Sequence, residues 1–366
     1  MRSRTAFLVA CAFSLILSWR PVSAGPALLF EPSNGKLLYA EDPDSQWHPA
    51  SLTKIMTAYV TFQAIKDGKL TLEQKISCSL VATLQPPSKV GLQPGAELTV
   101  EKALQAVIIK SANDVTVMLA EAVSGSESAF VEQMNATAKK LGMTRTNFVN
   151  TNGLPDPGQV TTARDLAKLS RAVVTEFPQY ASYWAMPDMR IGNRRLGTHN
   201  ALLKTFPGAD GLKTGFTCDS GFNIVASATR DGRRLMAVVL GETSGNERAI
   251  RAASLLEHGF ETYGWKELFN QTNIDNLPPD PAAKGVTTVR DSVVSWDCGH
   301  GRRRGGTAVA KRNQALKAKV AAARAKGALK KKDDIKEARP ALKGTQVIPS
   351  SAAQPPATKA AAAKVN

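Results

Sequence analysis

Strand-forming runs stand at both ends of the part of this chain that can build a core, with helical patterning between them. Near the start lie Ala27-Leu-Leu-Phe30 and Leu37-Leu-Tyr39, separated by Ser33-Asn-Gly-Lys36. Asn-Gly between apolar runs reads as a hairpin turn. Further on come Thr214-Gly-Phe-Thr217, Phe222-Asn-Ile-Val-Ala-Ser-Ala-Thr229 and Arg234-Leu-Met-Ala-Val-Val-Leu240, the last two joined at Asp231-Gly232. The spacing predicts one antiparallel sheet from an N-terminal hairpin (about 27–41) and three later strands (about 213–241). A helix beginning near Ser51 and a C-terminal helix over about Asn246–Tyr263 would pack on it. The intervening helices would make a second, mostly α lobe, with a cleft between lobes. The predicted class is α+β, and about 240 residues are ample for such a core.

Charge marks where that core stops. The formal net charge is +16, but residues 301–366 hold 17 Lys+Arg against 3 Asp+Glu, and residues 1–24 add Arg2, Arg4 and Arg20. That leaves residues 25–300 at a net of −1. A basic body suited to nucleic acid is thereby excluded, and no nucleic-acid partner is expected. The stretch 301–366 is rich in Ala and Lys, lacks aromatic residues and cannot bury much core, so it reads as a disordered tail. Its charge suits anionic envelope polymers or acidic lipid head groups. Residues 267–300 read as a linker, with a strand or two at most over Val286–Trp296.

Met1-Arg-Ser-Arg4, an apolar run from Ala6 to Trp19 and Val22-Ser-Ala24 have the form of a secretory signal cleaved after Ala24. The run is too short for a confident membrane span. An exported chain, periplasmic or in the cell envelope, is expected. The domains are thus a signal (1–24), a folded domain (25–266), a linker (267–300) and a tail (301–366).

Three short motifs carry the chemistry: Ser51-Leu-Thr-Lys54, Ser111-Ala-Asn113 and Lys213-Thr-Gly215. Ser-x-x-Lys alone means little, since Ser33-Asn-Gly-Lys36 matches it too and sits in a turn. Ser51 differs, because Leu52, Ile55, Met56, Tyr59, Val60 and Phe62 follow at helical spacing. Positions three apart on a helix share a face, so the Lys54 amine can reach the Ser51 hydroxyl. Backbone N–H groups in a first turn lack intrahelical partners and favour negative charge nearby. Ser111-Ala-Asn113 breaks an apolar helical pattern and would set a hydroxyl and a carboxamide at an interior cleft. Gly215, on an edge strand, would let another backbone approach closely, while Lys213 and Thr214 could hold a carboxylate.

With these motifs in order, residues from roughly 26 to 265 resemble the serine D-alanyl-D-alanine carboxypeptidases, the low-molecular-mass penicillin-binding proteins of peptidase family S11. The resemblance extends to Pro94-Gly-Ala-Glu97, Ser111-Ala-Asn-Asp114, Asn152-Gly-Leu154, Thr161-Thr-Ala-Arg-Asp-Leu-Ala167 and Asp210-Gly-Leu-Lys-Thr-Gly215. It implies a β-lactamase/transpeptidase-like fold, no cofactor, peptidoglycan stem peptides as substrate and β-lactams as inhibitors. Ser51 would attack the penultimate D-Ala carbonyl, Lys54 would be the base and Ser111 would relay a proton to the leaving amine. Asn113, Lys213, Thr214, Gly215 and Phe216 would bind substrate, the Ser51 and Phe216 N–H groups forming the oxyanion hole, and Arg248 would help Thr214 hold the terminal carboxylate. A β-lactamase or DD-endopeptidase on the same fold, or a non-catalytic envelope-binding protein acting through its tail, are the alternatives. Ala112 in the second motif, and no evident deacylating glutamate, argue against efficient β-lactam hydrolysis.

After Ala24 three cysteines remain, Cys78, Cys218 and Cys298. Export permits a disulfide, but no pairing follows from the spacing, and Cys218 reads as a small buried hydrophobe. The four histidines show no metal-ligand spacing, and no metal is expected.

Overall fold

The structure is a computed structural model that describes residues 25–269, 271–293, 295 and 298. The expected signal (1–24) and basic tail (301–366) lie outside the described residues.

Five strands form the central antiparallel sheet: β1 (Ala27–Phe30), β2 (Leu37–Glu41), β7 (Ala209–Thr217), β8 (Gly221–Arg230) and β9 (Arg233–Glu242). Their order is β2-β1-β9-β8-β7, so the N-terminal hairpin pairs with the last strand and β7 is an edge, as the element order predicts. The hairpin turns follow their chemistry. Gly35 takes φ 73° between β1 and β2. At the β8–β9 turn Asp231 and Gly232 take φ 50° and 75°, the two positive values that a twist-compatible two-residue turn requires. Ser33 and Lys36 are therefore turn residues. Two further pairs, β3 (Lys75–Ser77) with β4 (Glu97–Thr99) and β5 (Asp188–Ile191) with β6 (Arg194–Gly197), lie outside this sheet.

Side chains alternate across a strand, and here both faces are apolar. One face, with Leu29, Ile224, Ala226, Leu235, Ala237 and Val239, packs with Ala252, Leu256 and Tyr263 of the last helix. The other, with Leu28, Phe30, Val225, Met236, Val238 and Leu240, joins the main core. That core is organised by helix α1 (Thr53–Lys66), whose residues from Thr53 to Phe62 are all buried. Phe62 stacks on Tyr180 with ring centroids 4.2 Å apart. Helices α2 (Asn113–Ser124), α3 (Glu127–Lys140) and α4 (Ala163–Glu176) complete the α lobe.

The last helix, α5 (Gly245–Phe269), runs six residues beyond the expected Tyr263, so a boundary at 266 falls inside it. The segment after it is not a free linker, and residues 286–293 form no strand. Residues 271–293 strap back over the folded body by single backbone bonds. Ile274 donates to Gly35 O at 2.9 Å and Gln46 donates to Lys284 O at 3.0 Å. Arg164 donates to the Leu277 and Pro278 carbonyls while pairing with Asp44 at 2.7 Å. Near its end Arg290 forks onto Asp219 at 2.9 and 2.7 Å. Cys298 then forms a disulfide with Cys218. The reading of Cys218 as a small buried hydrophobe is thus overturned. Fold-back brings together two cysteines separated by 80 residues, and spacing alone cannot reveal that. Among the described residues Cys78 is the free, buried thiol.

Candidate active site

Ser51 stands in a 3-10 turn (Ala50–Leu52) that leads directly into α1, and three segments hold that turn. Asn223 on β8 donates to His48 O at 3.0 Å and accepts from Gly241 N at 2.9 Å, anchoring the approach to the sheet. Gly215 on β7 packs so closely that a Cβ there would lie 2.9 Å from Pro49 O and 3.0 Å from Ser51 N. What approaches Gly215 is therefore the serine's own turn. Gly153, at φ 83°, abuts it from the other side, and a Cβ there would fall 1.8 Å from Ala50 O.

One turn along, Lys54 is fully buried beside Ser51. Its Nζ lies 3.0 Å from Ser51 Oγ, 2.8 Å from Asn113 Oδ1 and 2.6 Å from Asn152 O. Burial drives its pKa well below the usual lysine value, and Lys213 pushes it further down against an opposing pull from Asp114. Nζ donates to all three oxygens; as a neutral amine it would keep its two hydrogens on Asn113 and Asn152 and turn its lone pair to the Ser51 hydroxyl.

Ser111 is held by strain. The chain runs through a π-helical segment (Ala106–Lys110) and then takes φ 60°, ψ 41° at Ser111 before α2 begins. Left-handed conformations at non-glycine residues cost energy and concentrate at functional sites, as π-bulges also do. The Ser111 hydroxyl is buried and has no hydrogen-bond partner among the described residues. Buried polar groups are rarely left so, and this one faces the cleft that also exposes Ser51. The wall beside it, residues 86–91, is tied to α2. Asp114 accepts from Val90 N and Gly91 N at 3.0 and 2.7 Å, and Asn113 donates to Pro86 O at 2.9 Å.

Lys213 is buried on β7 and donates to Thr214 O at 3.0 Å. Burial and then Arg248 lower it to about 7. Arg248, buried near the start of α5, donates to His199 O at 3.3 Å, and burial lowers it to about 10. Among the described residues no carboxylate pairs with it. Phe216 stacks on Phe222 at 4.2 Å. A cleft of about 790 Å³ between the lobes is lined by Ser51, Ser111, Asn113, Thr214, Phe216 and Arg248. Gly215 lines it too, and Lys54 and Lys213 lie beneath its floor, so the structure brings all nine predicted residues together.

Sequence reasoning assigned no role to Asn152, Asp114 or His199. Asn152 acts through a backbone carbonyl, which leaves no side-chain signal. Asp114 directly follows the second motif, a signal that was available. His199 is lowered to about 4 by desolvation and then by Lys213, Lys110 and Arg248. Its position in the fold comes from a segment with no motif.

The family model described as D-alanyl-D-alanine carboxypeptidase matches residues 16–244. The chain is 35% identical over 257 residues to D-alanyl-D-alanine carboxypeptidase DacF of Bacillus subtilis, covering 68% of this chain and 66% of that one. It is 37% identical over 249 residues to DacC of Escherichia coli, covering 66% and 62%. The chain thus spans a little under two-thirds of the length of these relatives. Penicillin-binding protein D2 from Listeria monocytogenes, solved with cefotaxime bound, superposes with a TM-score of 0.59 at 32% identity, over 65% of this chain and 97% of that one. The sheet, the α lobe and the cleft between them are those of the β-lactamase/transpeptidase-like fold. Motif order, site geometry and these likenesses agree: the chain belongs to the D-alanyl-D-alanine carboxypeptidase family, peptidase family S11.

Proposed function

We propose that this protein is a serine D-Ala-D-Ala carboxypeptidase that trims the terminal D-Ala from peptidoglycan stem peptides and is acylated by β-lactams. One observation carries the reading: Lys54 Nζ stands 3.0 Å from Ser51 Oγ with both other acceptors already supplied and its pKa driven down. A serine hydroxyl is a weak nucleophile until a base takes its proton. A lysine serves as that base only when neutral, against an ordinary pKa of about 10.4.

In this mechanism Ser51 Oγ attacks the penultimate D-Ala carbonyl while its proton passes to Lys54. Negative charge develops on the carbonyl oxygen and is met by the Ser51 and Phe216 N–H groups, an arrangement that removes on the order of 3 kcal/mol per donor from the barrier. Ser111, without another partner among the described residues, relays a proton to the leaving amine as the C–N bond breaks. Asn113 holds Lys54 and the peptide. Thr214, Lys213 and Arg248 receive the terminal carboxylate, for which Arg248 has no competing carboxylate partner among the described residues. Water then hydrolyses the acyl-enzyme. Cefotaxime in the Listeria relative is consistent with β-lactam acylation of this chain.

The same reading extends to location. Export to the periplasm or cell envelope follows from the sequence of residues 1–24 and from a substrate found there. The 17 Lys+Arg of residues 301–366 would hold the enzyme near anionic polymers or acidic lipids. Among the described residues no helix is long and apolar enough to cross a membrane.

The test is intact mass of the mature protein after brief benzylpenicillin exposure, beside Ser51→Ala, followed by D-Ala release from a D-Ala-D-Ala peptide. One persistent penicillin adduct, absent from the variant, with D-Ala released, is expected. Drug consumed without an adduct would indicate a β-lactamase. Drug intact and no adduct would refute an acylatable serine.

A further inference from the structure

A second cavity opens beside the serine turn, towards the Thr217 end of β7. It has a volume of about 280 Å³ and joins the cleft directly, since Gly153, Leu154 and Thr217 line both. Its walls are mainly apolar, from Ala50, Leu154, Pro155 and Pro157, and its ionisable groups are His48, Asp156 and Asp219. No lysine or arginine lines it. The cleft has the opposite character: Lys89, Lys110, Arg194 and Arg248 line it, and no aspartate or glutamate does. Charge thus changes sign from one space to the next.

The two carboxylates differ in what they can offer. Asp219 is answered within the chain, where Arg290 forks onto it at 2.9 and 2.7 Å and the Thr288 hydroxyl donates at 3.1 Å. The Asp156 carboxylate accepts only from Gly158 N, at 2.8 Å, and pairs with no cation among the described residues. Pro155 and Pro157 flank it and restrict the backbone on either side. A hydrogen bond of 2.9 Å between His48 Nδ1 and Gln159 O ties the opposite wall to the same loop. A half-buried carboxylate without a cation, set among apolar walls, suits a ligand with a methylene stem and a terminal ammonium.

Register along β7 decides which part of the substrate arrives there. The terminal carboxylate is received at Thr214 and the scissile carbonyl at the Phe216 N–H, so the peptide upstream of the penultimate D-Ala passes Thr217. Thr214 to Thr217 is three strand residues, or about 10 Å. Two residues of extended peptide and the carboxylate beyond them span roughly the same distance. The third residue from the C-terminus therefore reaches the mouth of the cavity. In a stem peptide that residue is a diamino acid.

We infer that the cavity beside the serine turn is a subsite for the free side-chain amine of that diamino acid, with Asp156 as its counter-charge. This rests on the carboxypeptidase reading of Ser51. The subsite makes the enzyme selective for stem peptides not yet joined through that amine. Acylation by a second stem peptide turns the ammonium into a neutral amide, which offers Asp156 no charge to pair with. Trimming is thereby directed to strands that a cross-linking reaction has yet to reach.

The experiment measures kcat/KM for D-Ala release by the full chain, as wild type, Asp156→Asn and Asp156→Glu. The substrates are Nα-acetyl-L-Lys-D-Ala-D-Ala, its norleucine counterpart and its Nε-acetyl derivative. The wild type should prefer the free amine about 3-fold to 10-fold, the range of one partly exposed charge-assisted contact, and mainly through KM. Asp156→Asn should remove the preference and Asp156→Glu should retain it. Raising salt from about 50 to about 500 mM should weaken it in the wild type. All three peptides are read on one preparation, so a poorly folded variant lowers them together and leaves the ratios intact. Equal cleavage of the Lys and norleucine peptides by the wild type overturns the subsite and leaves the carboxypeptidase reading standing. A preference that survives Asp156→Asn overturns the assignment to Asp156. An Nε-acetyl peptide cut as fast as the free amine overturns the selectivity for unjoined peptides. D-Ala released from none of the three overturns both readings.

Discussion

Breaking the Cys218–Cys298 disulfide should destabilise the whole catalytic body, and the structure sets the size of the effect. The bond closes a loop of 80 residues that contains β8, β9, α5 and the strap. Closing a loop of that length removes about 15 cal/mol/K of denatured-chain entropy, or about 4.5 kcal/mol at 25 °C. For a domain of this size each kcal/mol moves the midpoint by about 2–4 °C, so reduction should lower Tm by about 9–18 °C. The assay is thermal unfolding by circular dichroism of the oxidised protein, the reduced protein and Cys218→Ser/Cys298→Ser. Thiol labelling must show two more reactive cysteines after reduction. The strap's hydrogen bonds to Asp44, Ser45 and Asp219 survive in all three, so the difference reports the cross-link. Equal midpoints, with reduction confirmed, would refute the argument that the strap belongs to the cooperative unit.

Two more tests address the site. Lys213→Gln removes the cation that, after burial, most lowers Lys54. Lys54 should then rise, and the acid limb of benzylpenicillin acylation should move to higher pH; an unmoved limb would mean burial alone sets the base. The same substitution should flatten a stability trend. Lys213 titrates near 7 when folded against an ordinary 10.5, so its penalty is full below pH 7 and fades as pH rises towards 10.5. Wild-type stability, followed by urea unfolding, should therefore climb over that range and the variant's should climb less. Gly153→Ala places a methyl 1.8 Å from Ala50 O at a positive φ. It should cost about 3 kcal/mol in stability and slow acylation at least about 100-fold by displacing the Ser51 turn; wild-type acylation kinetics would show that the close approach is immaterial.

Much of this site was legible because its parts obey short-range rules. Ser51 and Lys54 meet because helical residues three apart share a face, and Ser111-Ala-Asn113 breaks a pattern that apolar residues otherwise enforce. Asp231-Gly232 declared its hairpin through the positive φ values it tolerates. The illegible parts act through the backbone or over long separations. Asn152 contributes a carbonyl, which every residue type has. The strap is held by isolated bonds to Gly35, Ser45 and Asp219, so its sequence needs no period. Cys298 could be matched to Cys218 only once α5 had fixed where the chain turns back. Gly215 was assigned correctly to an edge strand, but its neighbour is the nucleophile's turn, a contact between residues about 160 positions apart.

That contact makes the reactive serine a late product of folding. The Ser51 N–H lies in a turn formed by residue 52, but the strand that faces it begins at Ala209 and is fixed in place through β8 and β9. A chain emerging from a ribosome or a translocation channel carries Ser51 and Lys54 long before it carries their opposite wall. Until residue 242 is available, the serine has a base but no complete oxyanion pocket, and it is as inert as any surface hydroxyl. If the proposed acylation holds, covalent labelling by a β-lactam would count finished molecules. Pulse-labelled chains truncated before β9 should remain unlabelled at any drug concentration that saturates the full-length protein.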